Sequence, residues 1–142
     1  MKLACAAFVL AVLILPGAAL AQGFKVYPGA KLDPKASEEA RKGARAAGPG
    51  MDSSVYLTND AFEKVVAFYK GFAKELQMPV RSRRMLPNGQ QMKQAFFLFD
   101  GAGDLMSSKH WAKIQRPYIG SGATDEEEEI RDVTVIQVVQ KK

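Results

Sequence analysis

The side chains with the widest chemical reach sit together in "SSKHWAKIQRP", residues 107–117, which holds the only histidine and the only tryptophan of the 142-residue chain. An imidazole titrates near neutrality and can act as base, acid or metal ligand. For nucleophilic catalysis His110 would need an activated hydroxyl and an orienting acid, and Ser107 and Ser108 are its nearest hydroxyls in sequence. Neither lies in a G-x-S-x-G elbow or an S-x-x-K pair. No catalytic residue is assigned, and a small hydrolase or lyase using His110 stands as an alternative. Zinc would need a site built mainly of carboxylates around one histidine, which is unusual, so no metal or other cofactor is expected.

The remaining polar groups give weaker patterns. In "DGAGDLMSSK" (100–109) the glycines and Lys109 lack the glycine-lysine-serine/threonine order of a phosphate loop. Asp100 and Asp104 bracket that loop, but a calcium site spaces its oxygens at alternate residues around a glycine turn. The acidic run Asp125 to Glu129 repels itself and reads as a solvated loop. Arg81, Arg83 and Arg84, with Lys93 across a hairpin, form the densest basic group. They would suit an anionic surface or an acidic partner, or else protect an edge strand from pairing with its neighbours. The candidate binding residues are therefore Arg81, Arg83, Arg84, Lys93, His110 and Trp111.

These groups are carried by a chain that the N-terminal sequence marks for export. Lys2 precedes an unbroken apolar run from Leu3 to Leu15, Pro16-Gly17 break it, and Ala19-Leu20-Ala21 supplies small residues for a peptidase. The expectation is a signal peptide over residues 1–21, a single domain over 22–142, a periplasmic or extracellular location, and no membrane span after cleavage. Cys5, the only cysteine, leaves with the signal, so the mature chain has no disulfide or thiolate ligand. Removing Lys2 lowers the formal net charge of +5 by one. So modest an excess does not point to nucleic acid, and the partner is expected to be an envelope protein or an anionic surface.

Periodicity sets the expected elements. Asp33-Pro34 is an N-cap followed by proline at the first helical position, opening a helix over about 34–47 whose packing face of Ala36, Ala40, Gly43, Ala44 and Ala47 is shallow. Phe62, Val65, Val66, Tyr69, Phe72 and Leu76 recur at helical spacing and predict a long helix over about 60–76, with Asp60 and Glu63 spaced as a capping box. Strands are predicted over 53–58, 80–86, 91–99 and 132–140, the middle two joined at Asn88-Gly89 by a tight turn. Leu105 to His110 reads as one or two helical turns with Ser107 as cap, followed by an extended Ala112 to Gln115. The fold class is α+β: an antiparallel sheet of about four to five strands with the long helix on one face.

With "VYPGAKLD", "VYLTNDAFEKVVAFYK" and "SSKHWAKIQRPYIG" in view, the chain resembles an uncharacterised group of small exported bacterial domains. The matching residues are Tyr27, Pro28 and Gly29, then Thr58 and Asp60, then Val65, Phe68 and Tyr69. The resemblance implies fold and compartment and brings no activity or ligand. The functional expectation is an exported, non-enzymatic binding or accessory domain, with a binder of envelope surfaces through the basic hairpin as a further alternative. In this reading Trp111 and Ile114 anchor the "SSKHWAKIQRP" segment to the core.

Overall fold

The computed structural model describes residues 23–78, 84–121 and 128–142. The expected signal peptide, Arg81 and Arg83, and the Asp125 to Glu127 part of the acidic run lie outside the described residues. In chain order the elements are β1 (Lys31–Leu32), α1 (Pro34–Ala47), β2 (Met51–Thr58), α2 (Phe62–Lys70), β3 (Lys74–Leu76), β4 (Lys93–Leu98), β5 (His110–Arg116), β6 (Tyr118–Ser121), β7 (Glu128–Arg131) and β8 (Thr134–Lys141). An antiparallel sheet of six strands runs β1-β2-β8-β5-β4-β3, and β6 pairs with β7 in a separate two-stranded ribbon. The α+β class is as expected, but the sheet is larger. β1 is a two-residue edge strand at the end of the lead that the sequence reads as extended, and β3, of three residues, is too short to show an alternating pattern; of the strand predicted over 80–86, the described residues 84–86 keep only the isolated bridge of Met85 with Gln91.

The two helices pack on opposite faces. Val65, Val66 and Tyr69 of α2 close over Ala95, Phe97, Ala112, Ile114, Ile136 and Val138 of the three adjacent strands. Alternation along those strands turns the next residues to the other face, where Ala36 of α1 meets Val55, Val135 and Tyr118. Helix α1 starts as the sequence predicts: Pro34 follows Asp33, whose carboxylate accepts the Ala36 N–H at 2.9 Å. Its shallow face is fastened by one hydroxyl. Buried Ser37 accepts the Val55 N–H at 2.9 Å and donates to the Val55 carbonyl at 3.3 Å.

The long helix is shorter than its periodicity implies. It ends at Lys70, and Lys74–Leu76 instead pair with Leu98, Phe97 and Phe96 of β4. Tight turns at Gly71 and Phe72, whose N–H groups reach Phe68 and Tyr69 carbonyls, reverse the chain there. The open edge of β4 offers backbone partners that one more helical turn would not, so Leu76 leaves the helical stripe for the sheet. The predicted capping box is also absent. The N-cap is Ala61, with no side-chain cap bond, because Asp60 accepts from the Tyr27 hydroxyl and from Lys64 while Glu63 pairs with Lys93.

Two turns are resolved by the same accounting of backbone bonds. At Asn88-Gly89 only Gly89 has a positive φ, of 77°. The Gly89 N–H donates to Leu86 and the Leu86 N–H to Gln90, so Pro87-Asn88-Gly89 form a three-residue loop with only the glycine in the left-handed position, where the sequence predicted positive φ at Asn88 as well. At 104–107 the roles are reversed from expectation. Asp104 accepts the Ser107 N–H at 2.8 Å and its carbonyl accepts the Ser107 hydroxyl at 3.2 Å, so Asp104 braces the turn, and His110 opens strand β5.

Candidate functional site

Alternation along β5 separates the two residues on which the sequence reading centred. Successive side chains of a strand leave opposite faces; His110 lies on the α2 face with Ala112 and Ile114, and Trp111 lies on the α1 face with Lys113 and Gln115. His110 is half-buried, its ring centroid 5.1 Å from that of Phe99 and 6.4 Å from that of Phe24. Trp111 packs instead against Phe96, with centroids 6.2 Å apart. They do not form one site.

The hydroxyl beside His110 is committed elsewhere. Ser108 donates to Asp100 Oδ1 at 2.9 Å and accepts the His110 N–H at 3.3 Å, while Asp100 Oδ2 accepts the Lys109 N–H. Burial would raise the Asp100 carboxyl, but the Lys109 N–H and Ser108 hydroxyl outweigh it and hold the group below the ordinary aspartate value. The order is acid–serine–backbone, with no imidazole between. His110 Nε2 faces the Gln140 amide nitrogen at 3.2 Å. An amide N–H can donate there only to the neutral ring, in keeping with burial, which lowers the His110 pKa against the opposing pull of Asp100.

The described members of the basic group are both paired. Arg84 donates from one nitrogen to both oxygens of Glu128, at 2.8 and 3.0 Å, and Lys93 pairs with Glu63. The more heavily engaged cation is Arg116, which sequence reasoning passed over. Its guanidinium reaches Asp132, the Asn59 and Asp60 carbonyls and the Thr134 hydroxyl at 2.9 to 3.3 Å. It locks the entry of α2 to the β7–β8 turn.

Tyr27, Asp60, Phe68 and Tyr69 converge in space. The Tyr27 hydroxyl donates to Asp60 at 2.6 Å, its ring meets Phe68 edge-on at 5.3 Å, and the Tyr69 hydroxyl donates to the Lys25 carbonyl at 3.0 Å. The bond to Asp60, followed by burial, raises the Tyr27 pKa, and the Tyr27 and Lys64 donors lower that of Asp60. Gly29, at φ 82°, closes the turn in which the Ala30 N–H reaches the Tyr27 carbonyl. The contacts of Tyr27 and Tyr69 hold the N-terminal lead onto α2 and the residue that leads into it.

A different group emerges on the α1 face. Lys113, from the middle of the central strand β5, opens into a cleft of about 100 Å³ with Gln115, Gln137 and Tyr118, floored by Val55 and Val135 and walled by Glu39 and Ala40 of α1. Burial lowers the Lys113 pKa, with no opposing charge. Neither the Lys113 nor the Glu39 side chain has a hydrogen-bond or ion-pair partner among the described residues. The glutamines are braced: Gln115 donates to the Pro117 carbonyl and accepts from Gln94, and the Gln137 amide donates to Ser53. The signal for this site was in the sequence, because the alternation of "HWAKIQR" sets Lys113 between Trp111 and Gln115 on one face. The sequence does not show that α1 roofs that face.

Among the described residues no group of three or more histidine, cysteine, aspartate or glutamate side chains is placed to hold a metal ion, and no helix is long and apolar enough to cross a membrane. No protein-family model matches the chain, and no curated protein or solved structure is significantly similar to it.

Proposed function

We propose that this chain is an exported, non-enzymatic binding domain. The export reading comes from the sequence of residues 1–21. The observation that supports binding over catalysis is the division of labour on β5. On one face His110 is wedged against aromatic rings with its Nε2 on Gln140, while Ser108 is spent on Asp100. On the other face Lys113 opens into a cleft without a partner of its own among the described residues. Groups consumed by the fold hold the domain together; an ammonium left unpaired at the cost of desolvation is available to a ligand.

Turnover assays decide the point. Purified protein is expected to leave generic ester, phosphate and glycan substrates unchanged. Hydrolysis that disappears in His110→Ala would replace this reading with a hydrolase or lyase. Of the basic hairpin's candidates, the two among the described residues, Arg84 and Lys93, already carry acidic partners, which leaves Lys113 the better-supported binding cation.

A further inference from the structure

The Lys113 cleft has an unusual charge arrangement. Lys113 is half-buried, and an ammonium partly removed from water is ordinarily paired or coordinated, since that removal is costly. Among the described residues Lys113 has no carboxylate within ion-pair distance, and Glu39, which lines the same cleft, is likewise unpaired. Lys113 rises from the floor, held by the sheet, and Glu39 descends from α1, so opposite charges on separate elements share one cavity without meeting. Glu39 is close enough to Tyr118, at the same cleft, to raise the pKa of its phenol, although burial contributes more.

Such a cavity selects its occupant by charge. A simple anion would meet Lys113 favourably and Glu39 unfavourably, and a simple cation the reverse. A molecule bearing both charges satisfies both walls and enters without net charge. The volume, about 100 Å³, has room for only a few waters and therefore for a ligand of a handful of heavy atoms.

We infer that the cleft between α1 and the sheet binds a small zwitterion of the amino-acid type, its carboxylate on Lys113 and its ammonium on Glu39. The Gln115 and Gln137 amides and the Val55 floor leave room for no more than a short side chain. This rests on the domain being a binding module, but the two fail separately: His110-dependent turnover ends the module reading, and the titration below ends only the ligand assignment.

The test is a two-dimensional amide NMR titration of the purified protein with glycine, acetate and methylamine, each in parallel. Glycine is expected to shift the amides of Lys113, Gln115 and Gln137 saturably. Acetate and methylamine should bind more weakly by about tenfold or more, because each leaves one charged wall unpaired. Lys113→Met, which removes a desolvated charge and keeps the side-chain length, should fold and lose glycine binding. Glu39→Gln, at the α1 wall, should weaken glycine by a similar factor and leave acetate equal or tighter. No saturable shift with glycine, equal affinity for acetate, or unchanged glycine binding in a folded Lys113→Met protein would each overturn the assignment.

Discussion

His110 and Gly120 show how much single residues settle here. Burial between Phe24 and Phe99 lowers the His110 pKa from the ordinary 6.5, so in acid the unfolded chain takes up a proton that the folded one resists. Its neutral, folded form is fully favoured above that ordinary value, and stability declines as pH falls through it. Denaturant titrations at about pH 7.5 and 5.5, a window bracketing the ordinary histidine value, should show lower stability at the acid end. His110→Gln should flatten the difference. Gly120 makes a steric case: a Cβ placed there would come 2.5 Å from carbons of the Tyr118 ring. That ring is pinned beneath the Arg131 guanidinium, 4.4 Å from its centroid. Gly120→Ala is expected to destabilise by about 1–3 kcal/mol through overpacking, read from the denaturation midpoint.

For the elements, α1 depends on one polar residue more than on its alanines. Ser37→Ala would leave the buried Val55 N–H without its hydroxyl acceptor, and the expected loss is about 1–3 kcal/mol. Thermal denaturation checks it, with Ser37→Thr as the variant that keeps the hydroxyl. Trp111 is only half-buried, so Trp111→Ala should cost about 2–3 kcal/mol, less than the loss of a fully enclosed aromatic ring. The legibility of the elements follows from such details. Asp33-Pro34 announces α1 because cap and proline act locally, and "DVTVIQVVQ" announces β8 because β-branched residues suit a buried strand. Phe72 and Leu76 misled because they keep helical spacing beyond the helix, where pairing with β4 decides the conformation. Asp60 looked like a cap, yet its partner is Tyr27, 33 residues away. Local sequence holds no trace of that bond. The Lys113 cleft was half legible in the same sense: one face of β5 can be read from alternation, but its roof arrives from another element.

Across the whole molecule, stability should be graded from the middle of the sheet outward. β8 and β5 are flanked by neighbours on both sides and carry fully buried Ile136 and Ile114, whereas β1 and β3 close the edges with exposed or half-buried residues. Hydrogen exchange is expected to be slowest at Ile114 and Ile136 and fastest at Lys31 and Lys74. Equal protection at centre and edges would contradict that gradient. The strand order has a temporal consequence as well. β8 lies between β2 and β5, yet it follows both in the chain, so β2 waits for a neighbour some 80 residues downstream, as in the pairing of Ser53 with Val139. Contacts so distant are slow to form because the intervening loop must first be closed. β1-β2 and β5-β4-β3 therefore remain unjoined until β8 is made, so the last strand of the chain is the one that closes the sheet. Truncation before Thr134 should leave β1-β2 and β5-β4-β3 with no strand to join them, seen as loss of cooperative unfolding.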